Sequence, residues 1–382
     1  MAALLTHSAL IQAVAFLLRP ASTYQAIDLG FSVPALGTVG AVFAIVPLFL
    51  AIPAGSLVDR FGARIIMGVG SVLVIAAAAT LTLTGDTVLG LFIGVAVLGA
   101  GHLGCIVGQQ AVVADSAGGS RLDAMFGYYT FAASLGQAIG PLVLLLVGTG
   151  THPDTSVLFA IGTAMGVAML AVTFFIRRRP PQATEHLDQE AGGSWQLIRQ
   201  PGLFKAIATS AVIVSAVDLT VIYIPALGAE RGLTAAVVGI LLAVRAVFSM
   251  GSRLFLGMMT RRLGRQRLMV GSIAVSAVTL VAIAIPAPLG VTLVIVALLG
   301  VGLGVGQPLT MSWLVERTPP HRRGSALALR LAGNRLSMVL FPTLVGGLAG
   351  ALGAGPVFIL AAGAVGSTLL LTRSLGLASN DD

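Results

Sequence analysis

Along its whole length the chain alternates long apolar runs with short polar breaks. The runs fall at about residues 4–27, 34–57, 65–84, 87–111, 124–147, 155–176, 203–226, 234–257, 268–286, 289–312, 324–348 and 355–373. A helix rising 1.5 Å per residue needs roughly 20 apolar residues to cross the hydrocarbon layer. Each run therefore predicts one transmembrane helix, twelve in all. Twelve crossings take up about 264 residues and leave about 118 for loops and ends, too few for a large extramembrane domain. The fold class expected is an all-α integral membrane protein.

Composition supports that reading by exclusion. Of the 382 residues, 57% are hydrophobic and 9% are charged, and the mean hydropathy is +0.99. Soluble domains carry about 25% charged residues. The single cysteine, Cys105, lies inside an apolar run, so neither an intrachain disulfide nor a cysteine metal cluster is expected, and no cofactor motif stands out. The stretch from Met1 to Leu18 has no basic segment before it and continues as a full span, so it reads as a helix rather than a cleaved leader.

The net charge of +8 would suggest nucleic acid in a soluble protein, but here the basic residues sort by membrane side. With the amino terminus placed in the cytoplasm, 16 of the 22 lysines and arginines fall in cytoplasmic connections, among them Arg60, Arg64, Arg121, Arg177, Arg178, Arg179, Arg261, Arg262, Arg322 and Arg323. The opposite connections hold only Arg231. By the positive-inside rule both termini are expected in the cytoplasm, and no nucleic-acid partner is expected.

The one polar stretch of any length, residues 177–200, carries Pro, Gly and charges and reads as a cytoplasmic linker between two halves, residues 1–176 and 201–382. The halves repeat. Gly55 to Arg64 lines up with Gly257 to Gln266 at an offset of 202, and Asp115, Arg121 and Pro141 meet Glu316, Arg322 and Pro342 at an offset of 201. Internal duplication of this kind is a hallmark of secondary transporters.

Within the first copy, Gly55-x-Leu57-x-Asp59-Arg60-x-Gly62-x-Arg64 resembles the loop signature of the major facilitator superfamily, with Ala63 departing at one basic position. The resemblance covers essentially the whole chain. It implies twelve helices in two pseudo-symmetric six-helix halves, and a gating role in which Asp59 sits against the start of span 11, near Arg323 to Ser325. The second copy has Arg261 where the aspartate would stand, so it is expected to serve topology rather than gating. In span 5, Gly136-x-x-x-Gly140-Pro141 resembles the glycine and proline motif of the antiporter branches, which implies gating and export. Small residues four apart let helices approach closely, and the proline interrupts the hydrogen-bond ladder.

Gly99-x-Gly101-x-x-Gly104 fits a dinucleotide fingerprint by spacing alone, yet it lacks the preceding strand and reads as helix packing.

Charges within the spans are costly in hydrocarbon and persist where they face a partner or a watery cavity. Arg19 in span 1 and Asp218 in span 7 lie at similar depth, each about 22 Å from the cytoplasmic end of its helix, and can pair across a central cavity. They are the expected coupling residues, with His102 as a further relay candidate. Arg245 and Arg335 sit near the midplane, and with Asn334, Gln137, Tyr24 and Gln307 they form the expected substrate-binding set. Arg253 and Arg330 are expected to snorkel toward the membrane surface or anchor loops.

Three deep arginines against one aspartate favour an anionic or amphiphilic solute. The expected function is secondary active transport of a small organic solute by alternating access, as proton-coupled efflux. An uptake symporter, or multidrug efflux of neutral or cationic compounds, is the alternative. Histidines at 7, 102, 152, 186 and 321 are scattered, which disfavours an integral-membrane enzyme. The expected partners are lipid, protons and substrate, the expected state a monomer, and the expected location the cell's inner (plasma) membrane.

Overall fold

The structure, a computed structural model, describes residues 1–116, 122–147, 153–176, 202–317, 323–349 and 352–373. The linker at 177–200 lies outside these residues. The chain runs through α1 (Ala2–Asp28), α2 (Val33–Phe61), α3 (Ala63–Thr84), α4 (Val88–Ser116), α5 (Leu122–Leu142), α6 (Leu144–Val147) and α7 (Thr155–Thr173). It continues through α8 (Leu203–Glu230), α9 (Ala235–Leu254), α10 (Leu256–Leu263), α11 (Arg265–Ala284), α12 (Leu289–Arg317), α13 (Arg323–Ala349) and α14 (Ala354–Arg373). No strand occurs among the described residues.

Eleven of these helices are individually long and apolar enough to span a bilayer. The remaining crossing is α5 followed by α6, interrupted at Val143 just after Pro141. Span 8 is likewise broken, at Phe255 between α9 and α10. The helices outrun several of the predicted apolar runs: α2, α4 and α12 continue to Phe61, Ser116 and Arg317. Backbone hydrogen bonding within a helix does not stop at the hydrocarbon boundary, so polar residues extend the last turns into the interface. Large apolar side chains such as Phe49, Leu83 and Phe175 are exposed on the outer surface, where lipid is their natural solvent.

The repeat seen in the sequence recurs in backbone conformation. Gly62 between α2 and α3 and Gly264 between α10 and α11 take φ of +87° and +75°. A side chain would be strained there, so glycine makes both turns sharp. We refer to the side of these turns, where an even number of crossings also brings both termini, as the terminal face.

Within the first half α1 packs on α5 and α7, and α3 on α4; within the second, α8 packs on α13 and α14, and α9 on α12. Between the halves, α2 runs along α13, α5 along α9, and α1 meets α8. Glycines make these approaches possible. Gly136 and Gly140 lie on the α1 backbone at Ala9 and Ala13, and Gly99, Gly101 and Gly104 lie against α2 and α3. The fingerprint-like triplet is thus a packing surface.

At the opposite face, the end of α8 is fixed by two charges of opposite sign. The Glu230 carboxylate accepts from the backbone N–H of Ala354, at 2.9 and 3.1 Å, at the start of α14. Arg231 donates to the carbonyls of Ile283 and Ala284, at 3.0 and 2.8 Å, at the end of α11. Each charge meets the helix end whose exposed backbone groups favour it.

Candidate functional site in the centre of the helix bundle

Arg19 and Asp218 meet where α1 of the first half faces α8 of the second. Their side chains are 8% and 2% exposed, and Arg19 Nη2 donates to Asp218 Oδ1. Asp218 Oδ2 has no partner among the described residues. On α1, Pro20 lies inside the helix and cannot donate an N–H to the Phe16 carbonyl. The Arg19 guanidinium carbon stands 4.3 Å from the centre of the Phe43 ring, and the His102 ring lies 5.5 Å from that ring, tilted by 55°. Asp218, Arg19, Phe43 and His102 therefore form one contiguous line through α8, α1, α2 and α4. Arg335 on α13 is within electrostatic reach of both Asp218 and His102.

The predicted coupling residues are thus neighbours, held together by Phe43, which sequence reasoning passed over as one more apolar residue. The predicted binding set is more dispersed. Arg245 on α9 is 2% exposed, and its Nε and Nη2 have no hydrogen-bond partner among the described residues. Its guanidinium carbon lies 6.0 Å from the Phe16 ring centre. Arg335 is half-buried and turns Nη1 toward Met338 Sδ at 3.9 Å. Asn334 accepts from Ser210 at 3.2 Å, so its side chain sits in the seam between α8 and α13. Gln137 donates to Gln12 Oε1 at 3.4 Å. Tyr24 is fully buried, with its hydroxyl unpaired among the described residues.

Two arginines depart from expectation. Arg253 does not snorkel to the surface, because span 8 continues beyond it as α10 to Leu263. The side chain turns inward instead, donating to Ser134 Oγ at 3.0 Å, Gln307 Oε1 at 3.4 Å and the Gly304 carbonyl at 3.4 Å. It joins α5 of the first half to α12 of the second, and Gln307 is engaged with it. Arg330 also stays inside, 9% exposed, and donates to Ser210 Oγ at 3.0 Å. A second polar group lies near the start of α1, where Gln109 Nε2 donates to His7 Nδ1 at 2.6 Å and His7 Nε2 meets Ser71 Oγ at 3.3 Å.

Of the predicted gating residues, Gly62 forms the turn described above. Arg60 lies 5.2 Å from the Phe61 ring centre and Arg64 5.8 Å from that of Phe174. Gly55 and Asp59 are on the last turns of α2, but the Asp59 side chain and its expected contact at Arg323 to Ser325 lie outside what is described. Gly136 and Gly140 seat α5 on α1, and the carbonyl of Pro141 faces Gly239 of α9.

The family model described as Major Facilitator Superfamily matches residues 4–233 and again 206–377. The chain belongs to the major facilitator superfamily. Solved structures of the same architecture include the nucleoside transporter NupG, with a TM-score of 0.75 at 14% identity over 97% of this chain and 98% of that one. A POT family transporter in complex with 5-aminolevulinic acid gives 0.78 at 14% identity over 99% and 96%. A D-xylose-proton symporter gives 0.74 at 16% over 97% and 98%. No curated protein sequence matches. The chain is accordingly a multi-pass membrane protein of the superfamily's two-halved helical fold, and a secondary transporter of small molecules rather than an enzyme.

Proposed function

We propose that this transporter exports a small organic solute bearing an acidic group, using the inward proton gradient. The observation that carries the coupling is the Arg19–Asp218 pair, one partner from each half, buried between α1 and α8. Protonating Asp218 cancels its charge and releases Arg19, so a proton can exchange for a bond between the halves. Residues 1–176 and 201–382 then rock about that interface, joined by the linker at 177–200. His102 is the next proton-accepting group along the same line, through Phe43.

The acidic solute is supported by charge. Arg19, Arg245, Arg335 and Arg253 lie in or around the interior, where Asp218 is the one buried carboxylate among the described residues, and positive charge in a low-dielectric site attracts anions. Export is supported by the span 5 motif at Gly136, Gly140 and Pro141. The basic residues of the terminal face support a plasma-membrane orientation with both termini cytoplasmic. A monomer suffices, since both halves of the site come from one chain.

Reconstitution into liposomes tests this reading. Radiolabelled organic acids loaded with the protein should leave or enter against their gradient only when a proton gradient of the corresponding direction is imposed. Coupled movement of proton and solute in the same direction would instead identify an uptake symporter. Equal handling of neutral or cationic compounds would remove the acidic-solute reading.

A further inference from the structure

Arg245 is the buried cation for which the interior supplies least. It is 2% exposed, yet both Nε and Nη2 lack a hydrogen-bond partner among the described residues. Its charged neighbours in reach are Arg253 and Arg19, both cations. Arg19 by contrast is paired with Asp218, Arg335 lies in the field of the same carboxylate, and Arg253 is held by Ser134, Gln307 and the Gly304 carbonyl. A buried guanidinium with open donors is expensive unless a ligand completes it.

Which donors are open matters. Nε–H and the Nη2–H beside it point along one side edge of the planar guanidinium, the edge that takes both oxygens of a carboxylate at once. A neutral amide offers one acceptor oxygen and cannot fill both positions; a lysine cannot reproduce the fork. The carbonyl of Arg245 lies directly under Gly300 of α12, so the helix carrying the arginine is fixed closely to its neighbour. Phe16, from α1 of the opposite half, presents its ring 6.0 Å from the guanidinium carbon and packs with Val221 of α8. An aromatic ring from the other half therefore lies close to the guanidinium.

The geometry points to Arg245 as the seat of one substrate carboxylate, gripped by both oxygens on the Nε/Nη2 edge, with the flat apolar body of the acid against Phe16. The substrate class is a planar, predominantly apolar monocarboxylate. Arg335 then belongs with Asp218 in the coupling group and does not hold the carboxylate. The seat is closed in this state and admits the acid when the halves part. This inference rests on the acidic-solute reading above and sharpens it to one residue and one functional group.

Equilibrium binding without any proton gradient separates the two. The purified full chain would be titrated with benzoate, phenylacetate and cinnamate, and with the matching primary amides benzamide, phenylacetamide and cinnamamide, following thermal stability and calorimetric heat. At least one acid is expected to bind tenfold or more tightly than its amide. R245Q should abolish that preference, R245K should keep the positive charge but lose most of the preference, and R335Q should retain it. R245K guards against a misfolded R245Q, since it preserves the charge and most of the volume.

Acid and amide binding alike, acid preference surviving in R245K, or loss of preference in R335Q alone would each overturn the assignment. No binding of any of the three acids would overturn the planar monocarboxylate class. If these acids fail while liposomes still export other organic anions, the acidic-solute reading stands and only the Arg245 seat falls. If liposomes export no anion at all, that broader reading falls as well.

Discussion

Gly239 of α9 rests on the backbone carbonyl of Pro141 in α5, where an added Cβ would come within 2.5 Å of the oxygen, and Gly37 of α2 rests in the same way on the carbonyl of Pro342 in α13. The two glycines are 202 residues apart and the two prolines 201. The pseudo-symmetric halves therefore meet twice through one device, a glycine of one half against the carbonyl of an interrupting proline in the other. Gly239→Ala and Gly37→Ala should each cost about 1 to 3 kcal/mol through overpacking, with transport falling in parallel because both contacts lie where the halves touch. Gly251→Ala, with nothing within 4 Å of its Cβ position, should be neutral or slightly stabilising, by up to about 1 kcal/mol. Thermal unfolding of the three variants in one detergent checks the contrast, and equal losses in all three would remove the special status of the proline contacts.

Asp218→Asn should abolish uphill, proton-driven transport while leaving solute exchange measurable, because exchange requires the binding site but no net proton movement. It also leaves Arg19 buried without its counter-charge, and breaking such a pair costs about 3 to 5 kcal/mol. The double variant Arg19→Gln with Asp218→Asn should be more stable than either single variant, since no lone charge remains. Uphill transport persisting in Asp218→Asn would make the pair purely structural and turn attention to His102.

Twelve helices, their order and their repeat were legible because each rests on a local property: apolar length, or the recurrence of glycine and proline at a fixed offset. The Arg19–Asp218 contact was also legible, from depth along two helices related by that repeat. What escaped notice depends on the direction a side chain takes around its helix. Phe43 is indistinguishable in sequence from a lipid-facing phenylalanine, yet it is 2% exposed, against 73% for Phe49. Arg253 was misread because its span was ended too early. The break at Phe255 is followed by another two turns in α10, so Arg253 lies within the span, half-buried and bonded to Ser134, Gln307 and Gly304. Asn334 reads in sequence as a ligand-binding amide, and only the structure shows that its oxygen accepts from Ser210, to which Arg330 also donates.

Arg253 yields a prediction of its own. Arg253→Met keeps the aliphatic length but removes donors to Ser134, Gln307 and Gly304. Hydrogen bonds to a charged group contribute about 1.5 to 3 kcal/mol, so stability should fall on that scale and α5 should loosen from α12. Melting temperature and the rate of limited proteolysis, each compared between Arg253→Met and the native chain, report the change. An unchanged rate and unchanged melting temperature in the Arg253→Met background would mean that the three contacts contribute little to joining the halves.

The two loop copies differ in charge, and their variants should differ too. Asp59→Asn is expected to abolish most transport without impairing insertion, whereas Arg261→Asp, in the copy that lacks the aspartate, should change transport much less. Flux per inserted molecule is the relevant measurement, since Arg261 also contributes to the basic terminal face and its loss can lower insertion. Normal flux in Asp59→Asn would end the gating role of the loop.

At the opposite face, Glu230 and Arg231 hold the end of α8 by matching charge to helix polarity, the carboxylate at the start of α14 and the guanidinium at the end of α11. Glu230→Gln and Arg231→Gln each keep some hydrogen bonding but remove charge from a helix end, so each should cost about 0.3 to 1 kcal/mol. Exchanging the two, Glu230→Arg with Arg231→Glu, leaves net charge and composition unchanged while presenting each helix end with the wrong sign, and the loss should exceed the sum of the two neutral variants. Because α8 carries Asp218, slack at this end should also slow transport without altering preference among solutes. Melting temperatures at low and high salt distinguish the cause: the excess loss in the exchanged protein should shrink as salt screens the helix ends. An exchanged protein as stable as the native one at low salt would mean that the two residues act through shape alone.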